Sequence, residues 1–199
     1  MPRARAAGHH RGMPNYRRIH VPGGTYFFTV NLLERRRTLL VDRIDLLREA
    51  FRAARAKHPF TLLAWVILPD HLHCIWRLPP NDDANAERWR HIKTHFARGI
   101  PPGERLSPRR RMKAERGIWQ RRYWERIVHT DDDLRAHIDY IHINPMKHGH
   151  VERVRDWPHS SFHVYVSKGL LPSDWAGTSP VAAKDSKGEA KPARRGGGS

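Results

Sequence analysis

Short runs of β-branched and aromatic residues alternate along this chain with longer runs whose apolar residues recur at helical spacing. The first kind predicts strands, at residues 25–30, 60–68 and 71–78, with a weaker run at 118–129. The second kind predicts helices, at residues 42–58, 84–98 and 131–143. The segment 99–117 contains proline, glycine and a run of arginines, which favours a loop.

The order of these elements indicates the fold class. Strand, helix, strand, strand, helix, strand and helix predict an α+β protein with a ferredoxin-like antiparallel sheet and helices packed on it. A chain of 199 residues is long enough for one domain with a core. We expect that domain at 16–175, after a basic flexible arm at 1–15. The tail at 176–199 is rich in Gly, Ser, Pro, Ala and Lys, a composition that predicts disorder.

Charge narrows the choice of partner. The chain holds 37 Lys and Arg against 20 Asp and Glu, a net charge of +17. Such a surplus attracts polyanions, and nucleic acid is the expected partner because neutralised phosphates release counterions. The alternative is a solubilising basic surface or a ribosome-associated protein.

Other compositional features exclude several protein classes. Cys74 is the single cysteine, so an internal disulfide framework and a multi-cysteine zinc site are excluded. No apolar run approaches the roughly 18 residues of a membrane span, and none follows the basic N-terminus as a secretory signal would require. We therefore expect a cytoplasmic protein without a membrane partner.

Two histidines share one face of the strand predicted at 71–78. Residues two apart on a strand point to the same side, so His71 and His73 project together while Leu72 and Cys74 face the other way. Adjacent imidazoles can share one divalent metal ion. With 15 histidines in the chain, however, about one His-x-His spacing arises by chance. The spacing therefore permits a metal site without requiring one.

The helix predicted at 131–143 carries a tyrosine away from its apolar stripe. At about 100° per residue, the residues that form the stripe expected to face the core are Leu134, Ile138 and Ile141. Tyr140 lies about 120–130° from that stripe, too far round to be a core residue. Asn144 follows one turn later near the same face, so both side chains could meet a common partner. Alternatively, Tyr140 is interfacial and Asn144 caps the helix before Pro145.

Combined, these residues could carry out a phosphoryl transfer. A tyrosine hydroxyl is a poor nucleophile at its usual pKa of about 10 and needs a nearby positive charge or base. A metal ion held by neutral imidazole and amide ligands keeps its full charge and can polarise a phosphate. Tyr140 could then attack phosphorus and store the bond as a phosphotyrosine while a sugar hydroxyl leaves. Lys147 is a candidate for further charge beside the site.

Several blocks of sequence resemble one family. They are 13–18 (MPNYRR), 22–29 (PGGTYFFT), 68–76 (LPDHLHCIW), 117–125 (GIWQRRYWE), 140–149 (YIHINPMKHG), 156–158 (DWP) and 160–162 (SSF). In this order they resemble the REP-associated tyrosine transposases of the single-tyrosine HUH transposase superfamily, whose name denotes two histidines around a bulky hydrophobe. The resemblance covers about residues 13–166.

The resemblance implies a fold, an activity and site residues. The family has the ferredoxin-like fold, recognises hairpins of repetitive extragenic palindromes, and cleaves and rejoins single-stranded DNA with Mg²⁺ or Mn²⁺. Its tyrosine becomes joined to a 5′-phosphate and a 3′-hydroxyl is released. By position, the nucleophile maps to Tyr140, the metal-binding histidines to His71 and His73, and the third metal ligand to Asn144. The wider superfamily often has Gln at that third position, one methylene longer.

Basic residues are expected to bind the DNA. Those singled out, with one aromatic neighbour that could stack a base, are Arg17, Arg18, Arg109, Arg110, Arg111, Lys113, Arg116, Trp119, Arg121, Arg122 and Lys147. A solvated basic loop is the alternative for the residues between 99 and 122. For the whole protein, the alternatives are a hairpin-binding regulator without catalysis and a hydrolytic nuclease. Either a monomer or a homodimer is compatible with the sequence.

Overall fold

Four strands form one antiparallel sheet. The computed structural model describes residues 20–35 and 38–175. The strands are β1 (Thr25–Asn31), β2 (Thr61–Ile67), β3 (His71–Arg77) and β4 (Trp124–Val128), and their order in the sheet is β2-β3-β1-β4. The expected arm at 1–15, the residues Arg17 and Arg18, and the expected tail at 176–199 lie outside the described residues.

Helices connect and cover these strands. They are α1 (Leu39–Asp42), α2 (Ile44–Lys57), α3 (Asn85–Arg98), α4 (Pro108–Met112), α5 (Asp131–Lys147) and α6 (Phe162–Ser167), with a 3-10 turn at Val154–Asp156 before α6. This order and the antiparallel pairing confirm the ferredoxin-like α+β fold. Within the described part of the chain, no helix is both long enough and apolar enough to span a membrane.

The sheet buries a different core on each face. Helices α2 and α3 cover one face, where Phe28, Cys74 and Trp76 pack with Trp89 of α3. Helix α5 covers the other face, where Phe27, Val66 and Ile75 pack with Tyr140 and Ile141. Because side chains alternate across a strand, consecutive residues of β1 and β3 contribute to opposite cores.

Three element boundaries differ from the sequence expectations. The run 42–58 is preceded by the short helix α1, and the non-helical residue Arg43 separates α1 from α2. The run 118–129 forms a strand over its second half alone. The segment 99–117, expected as a loop, contains α4, which Ser107 caps by accepting a hydrogen bond from the backbone N–H of Arg110. Pro108 at the first position of α4 favours a helix start, because its fixed φ suits the helix and its missing N–H needs no partner there.

Helix α5 is longer than the sequence pattern indicates. It begins after Thr130, whose hydroxyl accepts from the N–H of Asp133, and it continues through Pro145 to Lys147. The expected end near residue 143 was wrong. Proline removes one helical hydrogen bond, but the ring of Pro145 is buried and the backbone N–H of His148 still bonds to the carbonyl of Asn144 at 3.0 Å. Tertiary packing thus carries the helix past the proline and keeps Lys147 on it.

Candidate active site

Strand β3 places two histidines side by side on the face that α5 covers. The rings of His71 and His73 are 5.0 Å apart between centroids, and their side chains are 2% and 0% exposed. Leu72 and Cys74 belong to the core on the opposite face. The alternation predicted from the sequence is therefore confirmed.

Each of these histidines is held through the same ring nitrogen. Nδ1 of His71 lies 2.6 Å from a carboxylate oxygen of Asp70, and Nδ1 of His73 lies 2.9 Å from the hydroxyl of Thr29. Asp70 in turn accepts a 2.6 Å hydrogen bond from Nε of Arg35. Such partners fix the tautomer of an imidazole and leave Nε2 as the nitrogen that can bind a metal. Nε2 of His71 is buried and has no hydrogen-bond partner among the described residues.

Electrostatics favours the neutral form of His71, which is the form that can bind a metal ion. Burial lowers the pKa of His71, and this outweighs the opposing effect of the Asp70 carboxylate. Burial alone would raise the pKa of Asp70, but hydrogen bonds from His71 and Arg35 lower it to about 2. At neutral pH the pair is therefore a neutral imidazole donating to a carboxylate.

Helix α5 brings Tyr140 against the histidine pair. The phenol ring lies 5.4 Å from the ring of His73 and 5.9 Å from that of Phe27 on β1. Tyr140 is 1% exposed, so the expectation that it lies outside the core was wrong. Helix α5 is covered on more than one side: it packs on the sheet and also contacts the 3-10 turn at Val154–Asp156. A single apolar stripe does not describe a helix buried in this way.

The end of α5 completes the cluster. Asn144, one turn after Tyr140, is fully buried. The ammonium of Lys147 lies 4.9 Å from the centroid of the Tyr140 ring. The side chain of Lys147 is exposed to solvent. The structure thus brings Tyr140, Lys147 and the histidine pair into one cluster, with Asn144 on the same helix.

Several residues of this site were not identified from the sequence. In the pairing of β1 with β3, Thr29 lies opposite His73 and Asn31 opposite His71. Asn31 is 6% exposed, and its Oδ1 has no hydrogen-bond partner among the described residues. Asp70 could have been suspected, because it directly precedes His71. Thr29 and Asn31 could not, because their roles depend on the register between two strands that are distant in sequence.

The basic segment divides into anchored and exposed residues. Arg116 pairs with Glu104 and also donates to the carbonyls of Ala97 and Ile100. Arg110 donates to the carbonyl of Arg116 at 2.9 Å. The residues of the expected DNA-binding set that point to solvent here are Arg109, Arg111, Lys113, Arg121 and Arg122. Of these, Arg121 also pairs with Glu115 at 2.7 Å.

Trp119 does not lie where a base-stacking residue would have to lie. It is 6% exposed and packs against Phe96 with ring centroids 5.3 Å apart. The placement argues against the stacking role expected for it, because a base needs an accessible ring face. Trp119 instead belongs to the hydrophobic core that α3 covers.

Residues 20–35 and 38–175 contain no group of three or more His, Cys, Asp or Glu that could hold a metal ion. The histidine pair would therefore need oxygen ligands of another kind. Amide oxygens are present, since Asn31 lies opposite His71 and Asn144 lies on α5. Amide and water oxygens suit Mg²⁺ and Mn²⁺, and the neutral imidazole is the commonest side-chain metal ligand.

Similarity to known proteins extends over most of the chain. Residues 24–144 match the family described as Transposase IS200 like. The chain is 46% identical over 165 residues to the REP-associated tyrosine transposase of Escherichia coli (strain K12), covering 83% of this chain and 92% of that protein. It is also 46% identical over 173 residues to a putative REP-associated tyrosine transposase of Haemophilus influenzae, covering 86% of this chain and 98% of that protein.

A solved structure agrees with these sequence similarities. It is a REP-associated tyrosine transposase bound to a REP hairpin, with 46% identity and a TM-score of 0.72. The match covers 83% of this chain and 93% of that one. The resemblance inferred from separate sequence blocks is therefore confirmed over most of the chain.

Proposed function

Because this chain belongs to the IS200-like transposases, and within them to the REP-associated tyrosine transposases, we propose that it binds hairpins of repetitive extragenic palindromes and cleaves and rejoins single-stranded DNA through Tyr140. The observation that carries the proposal is the position of the Tyr140 ring, 5.4 Å from His73 and 4.9 Å from the ammonium of Lys147. A nucleophile, a cation and two potential metal ligands thus meet at one place.

The chemistry follows from this arrangement. The hydroxyl of Tyr140 loses its proton to solvent, its oxygen forms a bond to phosphorus, and the bond from phosphorus to the 3′-oxygen breaks. The leaving 3′-oxygen takes up a proton, so that a 3′-hydroxyl and a 5′-phosphotyrosine result. Lys147 stabilises the phenolate form of Tyr140 before the attack and the negative charge on the transferred phosphoryl oxygens. The stored ester lets a 3′-hydroxyl attack in the reverse direction and rejoin the strand.

The buried polar atoms at the site fit a divalent cation, Mg²⁺ or Mn²⁺. His71 and His73 would bind it through Nε2, since Nδ1 of each ring is held by Asp70 or Thr29. Asn144 would supply an amide oxygen, and Asn31, whose buried Oδ1 has no partner among the described residues, could supply a second. When bound, such an ion polarises the scissile phosphate and offsets its charge.

DNA binding rests on the exposed cations of the segment 99–122 and on Lys147. Arg109, Arg111 and Lys113 point to solvent on a segment that Arg116 and Glu104 tie to the body of the protein. One chain carries the tyrosine and both histidines in one fold, so a monomer contains the whole site; a homodimer would place two such sites together. Acting on chromosomal DNA, the protein would work in the cytoplasm at the nucleoid.

The proposal is tested by trapping the covalent intermediate. The protein is incubated with Mn²⁺ and a labelled palindromic hairpin carrying single-stranded flanks, and a denaturing gel separates protein that has become joined to DNA. Wild type is expected to form the adduct. Tyr140→Phe should form none, because the ring keeps its packing while the attacking oxygen is lost. Tyr165→Phe is the matched control. It also removes a tyrosine hydroxyl, but that hydroxyl donates to the backbone carbonyl of Leu63 and not to a residue of the histidine cluster.

The outcomes separate the competing functions. Adduct in Tyr140→Phe would contradict the role of the tyrosine. Cleavage without adduct in both proteins would indicate a hydrolytic nuclease, and hairpin binding without cleavage in either would indicate a regulator.

A further inference from the structure

A groove lies on the sheet face opposite the histidines, between α2 and β2. Its volume is about 310 Å³, within the range of small-molecule and base-sized sites. Its walls are apolar and include the half-buried side chains of Phe51, Leu62 and Trp65, with Leu47 and Cys74 deeper in the core. We call it the α2–β2 groove.

Three arginines line the mouth of the α2–β2 groove. Arg48, Arg52 and Arg55 are spaced by one helical turn each and therefore lie along one face of α2. At 1.5 Å per residue they span about 10 Å, the rise of about three stacked nucleotides. Arg48 pairs with Asp45 on the exposed side of the helix, a contact weak enough to be exchanged for a phosphate.

An apolar cleft beside a row of cations matches single-stranded nucleic acid. Bases place their faces against aromatic and apolar side chains while the backbone follows the positive charges. A second copy of this chain would be a poor occupant, since both copies carry a net charge of +17.

The neighbouring sheet edge disfavours an extended peptide as the occupant. In the second half of β2 the outer backbone groups are already bonded: the N–H of Ile67 donates to the carbonyl of His159, and that of Trp65 to the hydroxyl of Ser161. The carbonyl of Trp65 accepts from the N–H of Ser161. Strand addition requires such groups to be open, and here they are taken.

The groove also leads towards the site. Ile44 and Ile67 line it, and Ile67 pairs with Leu72, the neighbour of His71. Ile67 is the last residue of β2, and His71, the first residue of β3, follows the turn that connects the two strands.

We propose that the α2–β2 groove binds unpaired nucleotides flanking the hairpin, with bases in the cleft and phosphates on Arg48, Arg52 and Arg55. The inference rests on the proposed function, because it assumes a hairpin with single-stranded flanks as substrate. It adds a second contact with the same DNA strand, on the far side of the sheet from Tyr140.

The test compares two probes in the Tyr140→Phe background, so that no cleavage interferes. One is a palindromic hairpin with single-stranded extensions and the other is the same hairpin with blunt ends. Fluorescence anisotropy across a salt series measures both. Arg52→Gln with Arg55→Gln is expected to weaken binding of the extended hairpin about tenfold and to lower its salt slope by about 1.4, with no change for the blunt hairpin.

Arg90→Gln with Arg98→Gln is the matched control, because these exposed arginines of α3 change the net charge equally and do not line the groove. Extensions carrying iodouracil should also cross-link to the peptides that contain Phe51 or Trp65. The proposed binding of unpaired nucleotides in the groove would be overturned by any of three results: equal losses of affinity for both hairpins, the same loss of affinity in the control variant, or cross-links to other peptides. Failure of both hairpins to bind Tyr140→Phe protein would instead refute the proposed function.

Discussion

At the scale of single residues, function depends on which atom of a side chain its neighbours hold. His71 and His73 present Nε2 because Asp70 and Thr29 occupy Nδ1. The site would depend on Asp70 and Thr29 even though neither residue needs to contact DNA or a metal ion. Mutation of hydrogen-bond partners of this kind commonly lowers metal affinity by a large factor.

Asp70→Asn is expected to weaken Mn²⁺ binding by about 10- to 100-fold. The amide of asparagine accepts more weakly than the carboxylate, so His71 is oriented less firmly and its Nε2 is a poorer ligand. Electron paramagnetic resonance of free Mn²⁺ during a titration measures the affinity directly, without any activity assay. Asp132→Asn, at a side chain that is 90% exposed, is the control. An affinity equal to wild type in Asp70→Asn would show that the hydrogen bond to His71 does not support metal binding.

At the scale of elements, ion pairs decide where irregular segments lie. The segment between α3 and β4 has one short helix, and Arg116 fastens it to the end of α3 through Glu104 and backbone carbonyls. The hydrogen bond from Arg116 lowers the pKa of Glu104 from its usual 4.5 to about 2, although burial opposes this. The exposed arginines of the segment are thereby held in place relative to the sheet.

This pair makes folding stability depend on pH. A carboxyl group whose pKa is lower in the folded state contributes stability above its unfolded pKa, and loses it as the pH falls towards the folded value. Glu104→Gln should therefore destabilise the protein by about 1 to 2 kcal/mol at neutral pH, a modest value because solvent reaches Arg116. The difference from wild type should shrink between about pH 4.5 and pH 2. Urea unfolding measures it, with Glu87→Gln on α3 as control; a difference that is constant with pH would contradict the assignment.

At the scale of the whole molecule, the net charge of +17 sets the energetics of DNA binding. Of this net charge, +10 belongs to residues 1–19, 36–37 and 176–199, whereas the segment 99–122 carries eight Lys and Arg against two Glu. Arginines paired internally, such as Arg116, contribute to the fold more than to phosphate binding. Net charge therefore overstates the number of phosphates that the protein can neutralise.

Arg109→Gln with Arg111→Gln should lower the salt slope of hairpin binding by about 1.8, because each phosphate contact on a duplex contributes about 0.9. Arg135→Gln with Arg153→Gln removes the same charge outside the segment 99–122. Each of these arginines pairs with an acid three residues away in sequence, Asp132 or Asp156. That control should leave the slope near its wild-type value. Anisotropy measurements on a blunt palindromic hairpin provide both slopes, and equal slopes in the two double variants would contradict a local contact.

The amino-acid sequence by itself determined the order of the four strands and the three long helices, and hence the ferredoxin-like sheet. It also determined that His71 and His73 share a face, because side-chain alternation is a property of any strand. It identified the family through blocks that include Tyr140 and Asn144. These inferences use local rules or direct similarity, and neither requires knowledge of distant contacts.

Only the tertiary structure decided what surrounds those residues. Helical periodicity gives angles within α5 but not how many of its sides are covered, so Tyr140 was expected outside the core although it is buried. The register that sets Thr29 opposite His73, the burial of Trp119 and the pairing of Arg116 with Glu104 likewise join residues far apart in the sequence. Such contacts depend on the summed packing of the whole fold, which no local pattern of residues contains.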